Sequence, residues 1–574
     1  MPSWKDIVKQ KQAERADAIA RARKQLEANG GSTQEDNAYL QATASQIVKR
    51  ISEGEWTSSQ VVSAYIRQAI RAHEATNCLT EILFENALKE AEELDDEFAS
   101  TKQIRGPLHG VPVSFKDQFE ITGYDASVGY TQWTDNCSSS DAHIVEVFRK
   151  NGAIVITKTN VPQTMLSFEC SNPLFGRTTN PWSINAAHTS GGSSGGEAAL
   201  LAQNGSALGV GSDIGGSLRI PTGYCGIYSL KPSYGRICGE GAKDPSPGFE
   251  AINVVVGPMG RSVDDIEVAS RILFGAEWPE YKRLLPPLPY RETTLPNKLR
   301  FGYYTSDLFV KASPACKRAV LETVEALRKA GHECIEFQPT LAREAMYLFV
   351  ALTSSDGYKA LLDQLGPDPR ESSLFLVTLG PKLPGFIRNL AAWIVRNLLH
   401  DDVFADCLDN ARVKTVNEFY ATIAKRDKLR KCWYEEVWQK YKFDGIIAPV
   451  QATPAVPHGA TMTLSPLAAG TILYNVIDSP VGIVPVTRVD PKIDALTDEW
   501  KHSAEHGCGS QLLEDGLYHA KNAAYNPEQM AGLPVAVQVV GKSLEDEKVI
   551  EMMKIVDEVL GPRDFGPSAW KRRN

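Results

Sequence analysis

Short apolar runs alternate with helix-forming segments along most of the chain, and this alternation restricts the architecture more than any other feature. GVPVSF (110–115), GAIVIT (152–157), LRFGYY (299–304), GIIAPV (445–450), GIVPVT (482–487) and PVAVQVVG (534–541) each read as a strand. Between them, DAHIVEVFRKNG (141–152), closed by Gly152, and SPACKRAVLETVEALRKAGH (313–332) read as helices. Strands that are apolar along their whole length need cover on both faces, so the pattern predicts an α/β fold with helical layers on either side of a sheet. Residues 57–574 contain no repeat and no linker that would divide them, and are expected to form one domain. That domain begins at TSSQVVSAYIRQAI, where Thr57 and Gln60 have capping-box spacing. Ahead of it, residues 1–56 are expected to form a helical arm. Ser3 can cap it, Asp6 sits in its first turn, and no Gly or Pro interrupts it before Gly30-Gly31.

Composition removes several function classes. The net charge is -9 with 23% charged residues and no dense Lys/Arg block, so no nucleic-acid partner is expected. The ten cysteines are scattered without a CxxC pair or a Cys/His cluster, which predicts reduced, mostly buried thiols and no metal site. The charged N-terminal segment lacks the pattern of a secretory signal, and no window approaches the ~20 apolar residues that span a bilayer. The cytoplasm is therefore the expected compartment, with peripheral membrane contact and a homodimer both left open.

TSGGSSGGEA (189–198) has the composition of a slack linker, yet it feeds directly into the helix former EAALLAQ (197–203). A second glycine-dense tract follows, and Gly211 to Ser217 are expected to form a turn that directs several N–H groups at one point. Gly191 to Gly195 also satisfy G-x-S-x-G, which would make Ser193 the nucleophile of an α/β-hydrolase esterase. That elbow requires a strand running into it, and NPWSINAAHT (180–189) is not one.

GVPVSFKDQF (110–119), GGSSGGEAAL (191–200), GSDIGGSLRIP (211–221) and SLKPS (229–233), in this order, resemble the amidase signature family. The resemblance extends from about Thr57 to GLPVAVQVVG (532–541), with its core at about 105–240. NVPQTMLSFECSNPLFGRTTNPW (160–182) and ILYNVIDSPVGIVPVTRV (472–489) are most similar to fatty acid amide hydrolases and fungal acetamidase-like enzymes. The resemblance implies a central mixed β-sheet covered by helices. It also implies amide hydrolysis through an acyl-serine, without metal or cofactor, by a triad in which Lys116 is the base, Ser193 the bridging serine and Ser217 the acylated one.

Elementary chemistry sets what those residues must satisfy. Lys116 closes its strand on the face opposite Val113 and Phe115, and only a neutral amine has a lone pair to accept a proton. Burial must therefore lower its pKa toward working pH. Ser217 would attack after passing its proton to Ser193, which passes its own to Lys116, and the reverse path would protonate the departing amine. The N–H groups of Ile214, Gly215, Gly216 and Ser217 are the expected oxyanion donors, worth roughly 3 kcal/mol each. Ser194, Asp213 and Arg219 are supporting candidates, the last two as an ion pair that is either rigidifying or merely solvated. By the family resemblance Met165 matches a position that lines the acyl site, the alternative being plain core packing; Thr189 and Ser190 are weaker candidates for touching Ser193, and His109, His143 and His188 have no role in this scheme.

One later stretch bears on the substrate. In GPKLPGFIRNLAAWIVRNLLHDD (380–402), a helix over about 384–400 places Phe386, Ile387, Leu390, Ala391, Trp393, Ile394, Val395 and Leu398 on one side. It is either packed on the core or interfacial, with Lys382, Arg388 and Arg396 meeting anionic headgroups. Fatty acid amide hydrolases carry a hydrophobic cap at the corresponding place, which implies a lipid-like substrate such as a long-chain fatty acid amide or N-acylethanolamine. The alternatives are a short-chain or aromatic amide, an ammonia-delivering amidotransferase subunit, and a catalytically dead scaffold.

Overall fold

The computed structural model of the protein describes residues 3–28, 35–279, 288–501 and 509–570. Eleven strands form one sheet: β1 (Leu79–Ile82), β2 (Pro112–Lys116), β3 (Ile154–Thr159), β4 (Leu208–Asp213), β5 (Tyr228–Lys231), β6 (Val255–Gly260), β7 (Arg300–Tyr303), β8 (Glu333–Glu336), β9 (Gly445–Pro449), β10 (Val481–Arg488) and β11 (Pro534–Val540). Their spatial order is β1-β3-β2-β4-β6-β5-β10-β11-β9-β7-β8. Two parallel blocks, β3-β2-β4 and β9-β7-β8, flank an antiparallel centre, and β1 pairs antiparallel with β3. The sheet is mixed and covered by helices, as the alternation predicts. β2, β4, β9 and β11 are buried along their whole length.

All six expected strands form within about two residues of their sequence positions, whereas β1, β4, β5, β6 and β8 are additional. β4 corrects a reading. Gly211 to Asp213 belong to a strand rather than a turn, and only Ile214 to Ser217 leave the sheet. The glycines of β4 leave room for the side chains of Ser194 and Glu197, which pack directly against the strand. A Cβ on Gly209 would stand 2.0 Å from Glu197 Oε1, and one on Gly211 2.6 Å from Ser194 Oγ.

Helix α1 (Trp4–Ala28) begins at Ser3, whose Oγ accepts from the Asp6 N–H. Gly30-Gly31, expected to end it, lie outside the described residues, as does Cys508. The helix is docked along the sheet edge. Arg15 donates to the Leu79 carbonyl of β1, and buried Lys11 reaches Asp125 at 3.0 Å and Glu81 at 2.8 Å. Helix α2 (Ser58–Thr76) carries the expected capping box between Thr57 and Gln60.

The remaining helices that shape the site are α3 (Gly195–Ala202), α4 (Arg219–Cys225), α5 (Ala342–Thr353), α6 (Phe375–Lys382), α7 (Gly385–Asn397), α8 (Asp402–Asn410) and α9 (Ala469–Val476). Helix α7 forms where the apolar periodicity places it, but its wide apolar side is divided. Ala392 and Val395 turn inward, while Phe386 (75% exposed), Leu390, Trp393 (53% exposed) and Leu398 stand in solvent. Arg396 is not available to headgroups as expected, because it bonds Asp406 at 2.7 Å and Asp409 at 3.0 Å on α8. Among the described residues no helix is long and apolar enough to cross a membrane.

Candidate active site

Lys116 ends β2 between two parallel neighbours, so its side chain emerges inside the protein and is fully buried. Its Nζ lies 2.6 Å from Ser193 Oγ and 2.8 Å from Ser212 Oγ, and Ser212 in turn donates to Gln118 Oε1 at 2.5 Å. Burial lowers the Lys116 pKa to about 7 against the opposing pull of Asp213 and Cys170, so a large neutral fraction exists near neutral pH. Ser193 follows a cis Gly192–Ser193 peptide and stands just ahead of α3. The glycine run around it is close-packed backbone rather than a linker, since a Cβ on Gly196 would lie 2.3 Å from the Asn160 backbone nitrogen.

Ser217 sits in the turn between β4 and α4. The Ser194 N–H donates to the Ser217 carbonyl at 3.3 Å, which ties the two serine-bearing segments together. Asp213, at the end of β4, gathers the turn from below. It accepts from the N–H groups of Gly216 (2.8 Å) and Leu218 (3.0 Å), from both sides of the Arg219 guanidinium, and from Asn475. Burial alone would raise the Asp213 carboxyl, but the Arg219 charge and these bonds hold it far below the usual carboxylate range. Arg219 is completely buried and also donates to the Thr471 carbonyl and to Gln538, so this pair is an anchoring network and not a solvated surface pair.

The four N–H groups expected at the oxyanion position divide accordingly. That of Gly216 is committed to Asp213, and those of Ile214, Gly215 and Ser217 remain as candidates. Thr471 donates to the Gly215 carbonyl at 2.6 Å and fixes that peptide plane. Gly216 has φ +134, and a Cβ there would meet Thr471 Oγ1 at 2.2 Å, so no other residue fits without rebuilding the turn. Thr189 and Ser190 do not join the Ser193 contacts, and Thr189 Oγ1 accepts from the Gly191 N–H. Among the described residues lining the two cavities that reach Ser217 there is no histidine.

Two cavities meet at Ser217, sharing Met165, Leu166, Ile214, Thr353 and Tyr358 as well. The first, about 140 Å³, is apolar and runs between α5, α6 and α8 past Phe349, Val377, Phe404 and Leu408. The second, about 470 Å³, is more polar and includes Gln118, Ser193, Ser212, Lys243 and Asp244. Met165, which lines both cavities, and its neighbour Thr164 have left-handed φ values of 57 and 69. Ser212, Gln118 and the walls from α5, α6 and α8 were not identified from sequence. Ser212 lies within the motif GSDIGGS, where nothing in the sequence distinguishes it from its neighbours.

Residues 60–550 match the amidase family profile, and the chain belongs to the amidase signature family. It is an amide hydrolase. Fatty-acid amide hydrolase 1 of Sus scrofa is 33% identical over 90% of this chain and 85% of its own length. The acetamidase of Emericella nidulans is 31% identical over 91% of this chain and 89% of its own length. A solved fatty acid amide hydrolase superposes with a TM-score of 0.81 at 30% identity, covering 95% of this chain and 90% of that one.

Proposed function

We propose that the chain hydrolyses aliphatic carboxylic amides with long acyl chains, using Ser217 as nucleophile, Ser193 as bridge and Lys116 as base. Neutral Lys116 takes the Ser193 proton while Ser193 takes that of Ser217, and Ser217 Oγ bonds to the carbonyl carbon. The N–H groups of Ile214, Gly215 and Ser217 receive the oxyanion. As the tetrahedral adduct collapses, the proton returns through Ser193 to the leaving nitrogen, and amine departs as acyl-Ser217 forms. Water then attacks that ester by the same relay, releasing the acid and regenerating the serine.

The observation that carries the substrate class is the apolar cavity that starts at Ser217 and runs between α5, α6 and α8; α8 packs in turn against α7, from which Phe386, Leu390 and Trp393 project into solvent. An acyl chain gains about 0.8 kcal/mol for each methylene buried in such a cavity. The adjoining apolar surface of α7 suits contact with a membrane in which a lipid-like amide is dissolved. Initial rates on primary amides from acetamide to oleamide test this reading. kcat/KM is expected to rise with chain length, and a maximum at acetamide would favour the short-chain, acetamidase-like alternative.

A further inference from the structure

The relay described under the proposed function, on which this inference rests, needs the Lys116 lone pair to face Ser193. Ser212 competes for it, since its Oγ is 2.8 Å from Lys116 Nζ against 2.6 Å for Ser193 Oγ. A hydroxyl has one proton and can meet the amine either as donor or as acceptor. If Ser212 donated, it would occupy the lone pair, and Ser193 could only accept an N–H. A proton could then not leave Ser193 for the lysine, which is the direction that activation of Ser217 demands.

Ser212 has another outlet for its proton. Gln118 Oε1 stands 2.5 Å from Ser212 Oγ, and both side chains are almost fully buried. Gln118 lies two residues beyond Lys116, just after β2, and is held by its own backbone. Its carbonyl accepts from the Lys243 N–H at 2.9 Å, and the next residue, Phe119, bridges to Ala242. We propose that Gln118 is a positioning residue for the relay: by accepting the Ser212 proton it makes Ser212 an acceptor toward Lys116 and leaves the lysine lone pair to Ser193. The side chain also lines the more polar cavity, beside Ser193 and Ser212. The charged or titratable groups that bear on Lys116 are Asp213 from β4 and Cys170 from the loop after β3, and Gln118 adds direction without adding charge.

The test uses the full chain, with oleamide and acetamide as probes, in Gln118→Leu, Gln118→Glu, Ser212→Ala and the Gln118→Leu/Ser212→Ala pair. Gln118→Leu strands the Ser212 proton, which turns to the lysine. kcat is expected to fall about tenfold or more, within the range of general-base effects, with KM little changed. Ser212→Ala removes the competitor and should cost less, and the double variant should return to the Ser212→Ala level. That reversal is a non-additivity that loss of packing would not produce. The acidic limb of the pH–rate profile should move down in Gln118→Leu, where a donated hydroxyl proton favours the neutral amine. It should move up in Gln118→Glu, whose carboxylate accepts the same proton but favours the ammonium. A double variant at least as impaired as Gln118→Leu, or an acidic limb unmoved in both Gln118 variants, overturns the proposal. Lys116→Ala measured alongside separates the two levels. Wild-type activity there sinks the Ser-Ser-Lys reading, whereas a dead Lys116→Ala with no reversal in the double variant sinks only the role of Gln118.

Discussion

Around Lys116 the chain buries polar groups and gives them partners, whereas along α7 it leaves large apolar side chains in water. Lys116, Asp213 and Arg219 are completely buried, and each is held by side chains or N–H groups from separate elements. Phe386, Leu390 and Trp393 are exposed on one face of one helix, with Leu398 exposed just beyond its end. Both arrangements run against the usual distribution, in which charges stay in water and apolar groups leave it. The first is sustained by the Asp213 network, because a buried charge without partners costs several kcal/mol. Among the described residues nothing covers the second, and an exposed apolar patch of this kind is what the proposed membrane contact would use. Under the proposed function the difference separates chemistry from delivery: the buried network would hold the path of the proton, and the apolar face would meet the substrate's surroundings.

Lys116→Ala breaks the first region most severely. kcat/KM on any amide is expected to fall by about 10²–10⁴, the usual contribution of a positioned base. In the wild type the same ratio should rise with pH through about 7, because only the neutral amine can accept the proton and burial brings the Lys116 pKa there. A smaller effect probes the second region. Trp393→Glu with Ile394→Glu should abolish co-sedimentation with liposomes and lower activity on vesicle-borne oleamide, while acetamide hydrolysis stays as in the wild type. Equal sedimentation of variant and wild type would remove the membrane role of α7. The smallest effect is expected from Glu197→Gln. Glu197 is buried on α3 against Ser114 and Thr159, and burial raises its pKa to about 7, so it could mimic the lysine in a pH profile. The acidic limb should stay where it is in this variant, and a shift would reassign the titration to Glu197.

The same contrast explains what the sequence discloses. The roles of Lys116, Ser193 and Ser217 rest on the resemblance to the amidase signature family, whose glycine motifs are legible because close backbone approach forces glycine at Gly196 and Gly216. β4 was hidden for the same reason, since Leu208–Asp213 alternates glycine with other residues and lacks the β-branched run of β10 or β11. The α7 helix was legible from periodicity, but its exposure was not. An apolar stripe looks alike whether it faces a core or a membrane, and only the packing of Ala392 and Val395 decides which residues turn outward. Gln118 and Ser212 escaped because their meaning lies in a hydrogen-bond direction, which exists only once β2 and β4 are side by side.

The central claim is that Ser217 attacks and Ser193 relays. It is tested most directly by treating the protein with a fluorophosphonate and mapping the adduct by mass spectrometry. The account predicts modification on the peptide carrying Ser217, lost in Ser217→Ala and slowed in Lys116→Ala. An adduct on Ser193 would contradict it and restore the esterase-like elbow that G-x-S-x-G suggests.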